Sequence, residues 1–291
     1  MTDMYFSTPA SREIHDERPG SGAAGVSDPD PGQSARPSGG SPDPVRALIA
    51  EWEMQQDAYV AKRAERFGIV LDAIQYAKPG VTTILDAAGG LGSFSRLILE
   101  RFPEVRVVTL DYDPALLALA RRNLAEFGER SLVVEANLLD PSWPAALEGW
   151  LPEVVVSSTA LHWLPAGGLV SFYERLARVL PEGALFFNAD HLSLGVEGSF
   201  FRAVSAADDA RQQAAFEDGV LDWDGWWERF SEGGEFDELI AERDARFAAI
   251  WEDEARDVSP VFHAESLRVA GFREAGTLWQ YFDDYVVYAR R

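Results

Sequence analysis

Cysteine is absent from the 291 residues, which removes disulfides, thiolate nucleophiles and cysteine metal ligands together. Lysine is nearly absent: Lys62 and Lys78 are the only two, and the other basic residues are arginines, which we read as the codon bias of a GC-rich genome rather than a functional feature. No run of about 18 apolar residues occurs, so no segment reads as a membrane span. The N-terminus lacks the basic stretch and apolar core of a secretory signal. A cytoplasmic location is therefore expected. Clusters of basic residues are missing as well, since Arg121–Arg122 and Arg290–Arg291 are isolated pairs in a chain of net charge -22. Such a field repels a phosphate backbone, whose binding requires neutralising cations. Neither nucleic acid nor membrane is expected as a partner.

What is present is 47% hydrophobic and 25% charged, enough for one large domain or a domain with an insertion. Residues 1–43 are rich in Gly, Pro, Ser and Asp and have almost no apolar periodicity, so they read as a disordered tail. His15 lies there and carries no expected role. From Pro44 onward the pattern changes. Leu48, Ile49 and Trp52 share a helical face, as do Phe67, Val70, Leu71 and Ile74, and Lys78-Pro79-Gly80 closes the second helix. A regular alternation follows: strands at 83–87, 105–110, 132–136, 154–158 and 184–189, with helices at 93–101, 114–127 and 168–180. Short apolar strands separated by helices predict an α/β fold, a doubly wound, mostly parallel sheet covered on both faces.

The C-terminal part differs. Residues 266–270 read as helix with Gly271 as its C-cap. Strands at 276–281 and 285–290 are separated only by Phe282-Asp283-Asp284, too few residues for a parallel crossover, so this pair must be antiparallel. Seven strands closed by a reversed hairpin are expected, an arrangement that a plain dinucleotide-binding fold lacks. Between 191 and 260 lies a helical insertion with Trp223, Trp226, Trp227 and Trp251. It leaves the sheet at the carboxyl edge, where open α/β sheets bind ligands, and so reads as a cap. Its tryptophans suit an aromatic substrate pocket or a hydrophobic face packed on the core.

The sharpest local feature is Ile84-Leu85-Asp86-Ala87-Ala88-Gly89-Gly90-Leu91-Gly92-Ser93, an apolar strand ending in an acid, then a turn of small residues and a helix. Glycines let backbone approach a ligand closely, and Asp86 can accept from water or an ammonium group. By itself this turn is a weak signal. A second strand, Val107-Val108-Thr109-Leu110-Asp111, ends in a carboxylate 25 residues after Asp86. An acid there can accept from ribose hydroxyls. Together the two elements predict a nucleoside cofactor.

These residues resemble the class I S-adenosyl-L-methionine (SAM) dependent methyltransferases, over roughly residues 44–291. The run from Leu85 to Gly92 is similar to the family's first motif, and Val108 to Asp113 to its second. Val134-Glu135-Ala136-Asn137-Leu138-Leu139-Asp140 is similar to the third, and Val155 to Leu164, in the variant ending His162-Trp163, to the fourth. The resemblance implies SAM as cofactor, held by Asp86, Ala88, Gly90, Gly92, Asp111, Tyr112, Asn137, Leu138 and Ser157. Two positions depart from the usual pattern. Ala88 stands where the first glycine is expected, and Asn137 where aspartate is more usual, with its side-chain oxygen still able to reach the adenine amine. Tyr59 or Arg63, in a segment similar to the helix covering SAM in related enzymes, could approach the methionine carboxylate or form surface ion pairs. NAD competes as cofactor but needs a helix start free for a pyrophosphate, and here Phe94 and Ser95 crowd that stretch.

Methyl transfer demands alignment first and a base only when the acceptor loses a proton. Candidates at strand ends are His162, after the fourth strand, and Asp190 and His191, after the fifth. His263 could join His162 and His191 in a metal site, but no close spacing supports one and none is expected. The expected activity is methyl transfer to O, N or C of a small-molecule metabolite, of the kind met in natural-product tailoring and secondary metabolism. A homodimer is compatible with the sequence. Two alternatives stay open: an NAD-type oxidoreductase, and a SAM-binding protein without turnover.

Overall fold

The computed structural model describes residues 43–192, 199–251 and 258–291. The expected disordered tail lies outside these residues except for Asp43, as do residues 193–198 and 252–257 of the expected insertion. The compact unit is Pro44–Arg291. Its helices are α1 Pro44–Tyr59, α2 Arg63–Ala77, α3 Ser93–Arg101, α4 Pro114–Asn123, α5 Ala166–Val179, α6 Ser199–Gln213, α7 Trp223–Ser231, α8 Asp237–Trp251 and α9 Pro260–Ala270. Its strands are β1 Thr83–Ala87, β2 Arg106–Asp111, β3 Ser131–Glu135, β4 Val154–Ser158, β5 Leu185–His191, β6 Glu274–Tyr281 and β7 Asp284–Arg290. They form one sheet in the order β3-β2-β1-β4-β5-β7-β6. The first five are parallel, and β7 runs antiparallel to both β5 and β6. This is the class I methyltransferase topology, with the reversed hairpin expected from the short 282–284 link.

The reason lies in the strand compositions. All five residues of β1 are buried, as are the first four of β4, the pattern of strands covered on both faces. Successive side chains alternate between two cores. On one face Leu85, Val108, Val155 and Phe186 meet Phe172 and Leu176 of α5 and Leu267 of α9. On the other Ile84, Val107, Val156 and Phe187 meet Phe67, Val70 and Ile74 of α2 and Phe94 and Ile98 of α3. Phe186 and Phe187 thus point to opposite faces, an alternation that carries on to the end of β5.

A third core joins α1, α4 and α7 through Trp52, Leu116, Leu119, Trp226 and Phe230. Trp226 is fully buried, its indole nitrogen donates to the Leu48 carbonyl at 3.0 Å, and its ring lies 4.8 Å from that of Trp52. These tryptophans are packing residues. Local signals fix the helix ends. Asp113 caps α4 by accepting from the Ala115 and Leu116 amides, with Pro114 at the first turn. Ser259 caps α9, and Gly271, at φ 110°, ends it.

Most of the boundaries that differ from expectation do so by one or two residues, whereas helix α9 begins at Pro260, six residues before the expected 266. Strand β2 runs on to include Asp111, putting the acid on the strand itself. Helix α4 stops at Asn123, whose side chain donates to the Leu91 carbonyl at 2.9 Å, rather than continuing to Phe127. Tyr281 pairs with Asp284, so the hairpin turn is only Phe282-Asp283, with Phe282 at φ 49°. Among the described residues no helix is long and apolar enough to cross a membrane.

Candidate active site

The glycine-rich turn connects β1 to α3 and is held from several sides. The Gly89 amide donates to the Leu110 carbonyl at 3.0 Å, and the Gly90 amide to Asp111 Oδ2 at 2.7 Å. A Cβ on Gly89 would sit 2.8 Å from Asp86 Cγ and 2.9 Å from Thr109 Cγ2, so only glycine fits there. Ala88 takes φ 55°, a left-handed conformation that a side chain resists. The departure from glycine thus strains backbone as well as adding a methyl group.

Asp86 is buried, and its Oδ2 accepts from the Ser95 amide at 3.0 Å and the Ser95 hydroxyl at 2.7 Å. It fastens the first turn of α3, while its Oδ1 has no protein partner. Burial pushes this carboxyl up to about 7 against the lowering effect of the Ser95 bonds. Asp111 Oδ1 accepts from the Tyr112 and Asp113 amides at 2.7 and 2.9 Å. With Gly90 on Oδ2, one acceptor direction is left for a ligand hydroxyl. Burial raises the Asp111 carboxyl, opposed by those amides. Asn137 Oδ1 accepts from the Leu139 amide at 2.9 Å, so one of its two acceptor directions is already used. Leu138 is buried beside it. Ser157 is fully buried inside the sheet with its hydroxyl unpartnered, next to Asn188 on β5. Its neighbour Ser158 receives Arg66 Nη2 at 3.4 Å.

The ends of β4 and β5 converge. His162 Nδ1 lies 2.6 Å from Asp190 Oδ1, and the His162 amide donates to Asp190 Oδ2 at 3.1 Å. Asp190 is fully buried, whereas the His162 side chain is 28% exposed. Burial works to raise the Asp190 carboxyl, but His162, His191 and Arg66 outweigh it and hold the group below the usual range. The His191 amide also donates to Asp190 Oδ1, at 3.0 Å, while its ring turns the other way, with Nδ1 3.2 Å from Asp284 Oδ1. Burial, aided by the Arg66 charge, pushes His191 down to about 3. The two histidines expected near the chemistry are similarly open, at 28% and 25%, and each faces a carboxylate; they differ in that His162 makes the shorter contact, 2.6 Å against 3.2 Å, and that His191 is pushed down.

His263 bonds to neither of them: it is fully buried, 2.7 Å from the Tyr173 hydroxyl through Nδ1, and near enough to Asp190 and His162 to feel their charges. The close grouping of ligand-type atoms among the described residues is instead His191 with Asp283 and Asp284. Tyr59 accepts from the Trp223 amide at 3.1 Å, and Arg63 pairs with Glu53 at 2.7 Å and Asp57 at 3.0 Å. Sequence reasoning missed Arg66 and Asp284. Arg66 is fully buried on α2, with Nη1 3.0 Å from Asp284 Oδ1. Its only signal is position, one helical turn before the core residue Val70.

Residues 84–183 match the family described as "Methyltransferase domain". The chain carries a class I SAM-dependent methyltransferase domain. The chain is 44% identical over 75 residues to the ribosomal RNA small subunit methyltransferase H of Trichormus variabilis (strain ATCC 29413 / PCC 7937), a match covering 25% of each chain. The chain thus spans about a quarter of the length of that curated relative. Two solved structures share the fold over 85% of this chain: the CurJ carbon methyltransferase (12% identity, TM-score 0.52, 61% of that chain) and PigF with SAH (14%, TM-score 0.50, 60%).

The residues present fit SAM. The cradle at Gly89 admits no side chain, the buried Asp86 Oδ1 is an acceptor without a protein donor, and Asp111 Oδ2 retains an acceptor direction. These suit a ligand rich in donors at both its amino-acid and ribose ends.

Proposed function

We propose that the protein methylates a hydroxyl group of a small-molecule acceptor, with His162 as general base and Asp190 as its positioning residue. The observation that carries this reading is the 2.6 Å contact between His162 Nδ1 and the fully buried Asp190. A carboxylate on Nδ1 fixes the neutral tautomer with Nε2 as proton acceptor and stabilises the imidazolium formed when the proton arrives. Bound SAM supplies an electrophilic methyl group. The protein's task is to align the acceptor and take its proton, and an acceptor that loses a proton on attack is the one that gains from a base. A neutral His191 favours the same assignment, since it has little basicity to offer.

The acidic character of the chain supports a small acceptor over RNA, the substrate in the ribosomal relative's name. At a net charge of -22 a phosphate backbone is repelled. We also assign residues 44–291 to one catalytic unit, with 191–260 as its cap. The test is a turnover screen of wild-type protein with SAM against hydroxylated small molecules, amines and small ribosomal subunits, with products read by mass spectrometry. O-methylated products that vanish in the His162→Ala protein support the proposal. Transfer to RNA alone, or undiminished turnover without His162, overturns it.

A further inference from the structure

Helix α8 belongs to the insertion, yet its contacts run toward the ends of β2 and β3 rather than toward His162. Leu239, Ile240, Arg243, Arg246 and Phe247 follow helical spacing along one face. Leu239 and Ile240 pack into the core that contains Ala115, Leu116 and Leu119 of α4. One turn on, Arg243 Nε lies 2.8 Å from Asp113 Oδ2, both side chains buried, and the guanidinium sits 3.8 Å from the Trp227 ring centre. One turn further, Arg246 Nη1 donates to the Tyr112 carbonyl at 2.9 Å and lies 2.7 Å from Glu135 Oε1. Its guanidinium is 5.0 Å from the Tyr112 ring centre, and the Phe247 ring is 5.7 Å from that of Tyr112.

The strand-end partners of this face, Tyr112, Asp113 and Glu135, adjoin the nucleoside end of the cofactor site. Tyr112 and Asp113 follow Asp111, and Glu135 directly precedes Ala136-Asn137. In the observed strand order β3 stands three strands from β4 and four from β5. At about 4.8 Å per strand that is roughly 14 to 19 Å sideways from the dyad. We propose that α8 is a wall of the cofactor site: Arg246 and Phe247, with Tyr112, form the surface against which the adenosine half of SAM is held, and the Arg243–Asp113 pair clamps that wall to β2. Planar cationic and aromatic side chains are the groups that stack on a purine. This inference rests on the SAM reading above and assigns a cofactor role to a helix of the cap.

The test uses calorimetric titration of the full chain with S-adenosylhomocysteine and with methylthioadenosine, which keeps the nucleoside but lacks the amino acid. In Arg246→Ala and Phe247→Ala proteins both ligands should weaken by about tenfold or more and by the same factor. Asp113→Asn, which keeps the helix cap while removing the charge, should weaken both in the same direction. Circular dichroism melts identify any variant that fails to fold, and Arg246→Lys then replaces Arg246→Ala. Wild-type affinity for both ligands in folded variants overturns the proposal, as does a loss confined to S-adenosylhomocysteine. A wild-type protein that binds neither ligand removes the cofactor reading itself, and this inference with it.

Discussion

Arg66 Nη1 lies 3.0 Å from Asp284 Oδ1, and neither side chain reaches solvent. The pair joins α2 to the first residue of β7, 218 positions away in the chain. Burial lowers the arginine and raises the carboxyl, and each opposes the shift in the other. Removing one partner strands a charge, which costs about 3–5 kcal/mol. Arg66→Met and Asp284→Asn should therefore both lower the thermal midpoint, the second at least as much, because a stranded Asp284 carboxyl, already raised to about 8, can take up a proton whereas a stranded guanidinium stays charged. A melt of Arg66→Met within a degree or two of wild type would count against the pair as a structural tie.

His162→Ala and Asp190→Asn should leave S-adenosylhomocysteine affinity unchanged while slowing turnover about 10²- to 10⁴-fold, the usual worth of a positioned base. The His162 variant should flatten the pH profile of kcat. His191→Gln should do far less. Calorimetry together with single-turnover kinetics separates these outcomes, and equal losses at both histidines would contradict His162 as the base.

Asp111→Ala should abolish measurable cofactor binding. Besides any ribose contact, the substitution releases the Gly90, Tyr112 and Asp113 amides, so the turn and the strand end lose their shared acceptor. Retained affinity would move the ribose site elsewhere.

Ala88→Gly should keep or raise the melting temperature, because the left-handed backbone that alanine adopts costs about 1–2 kcal/mol, partly offset by glycine's greater freedom in the unfolded chain. Ala88→Val should lower it. A lower midpoint for the glycine variant would mean that the methyl group's packing outweighs the strain.

Asp86 gives a pH signature. Its folded value of about 7 lies above its ordinary 3.8, so between those limits the folded state holds a proton that the unfolded state has released. Stability therefore falls as pH rises through that window. Asp86→Asn, which can still accept from Ser95, removes this loss. The midpoint of the variant minus that of wild type should grow from acid to neutral pH, and a constant difference would show that Asp86 titrates normally.

The cofactor half of the site was legible in the sequence because its elements are local. An apolar strand, an acid and a glycine turn lie within ten residues, and Asp111 ends the next strand. The hairpin was legible from loop length alone. The acceptor half was not legible as an arrangement, although its residues were named. His162 and Asp190 meet only through the parallel pairing of β4 with β5, and Arg66 meets Asp284 only once β7 has turned back along β5. The α8 face carried a readable signal, two arginines at core spacing among Leu239, Ile240 and Phe247. Its target depended on where the insertion folds back.

The alternation along β5 sets a parity rule for the acceptor edge. Asp190 shares a face with Phe186, and His191 shares one with Phe187, so each is tied to its own neighbours: His162 for the first, Asp284 for the second. A single inserted codon within the strand would turn each residue to the other's face, and the dyad would vanish although every one of its members was still encoded. An insertion of two would restore the faces but carry Asp190 about 6.6 Å along the strand, and the dyad would be lost again. The lineage of such a site should therefore tolerate no change of length in this strand, a constraint that a comparison of residue identities, position by position, would pass over.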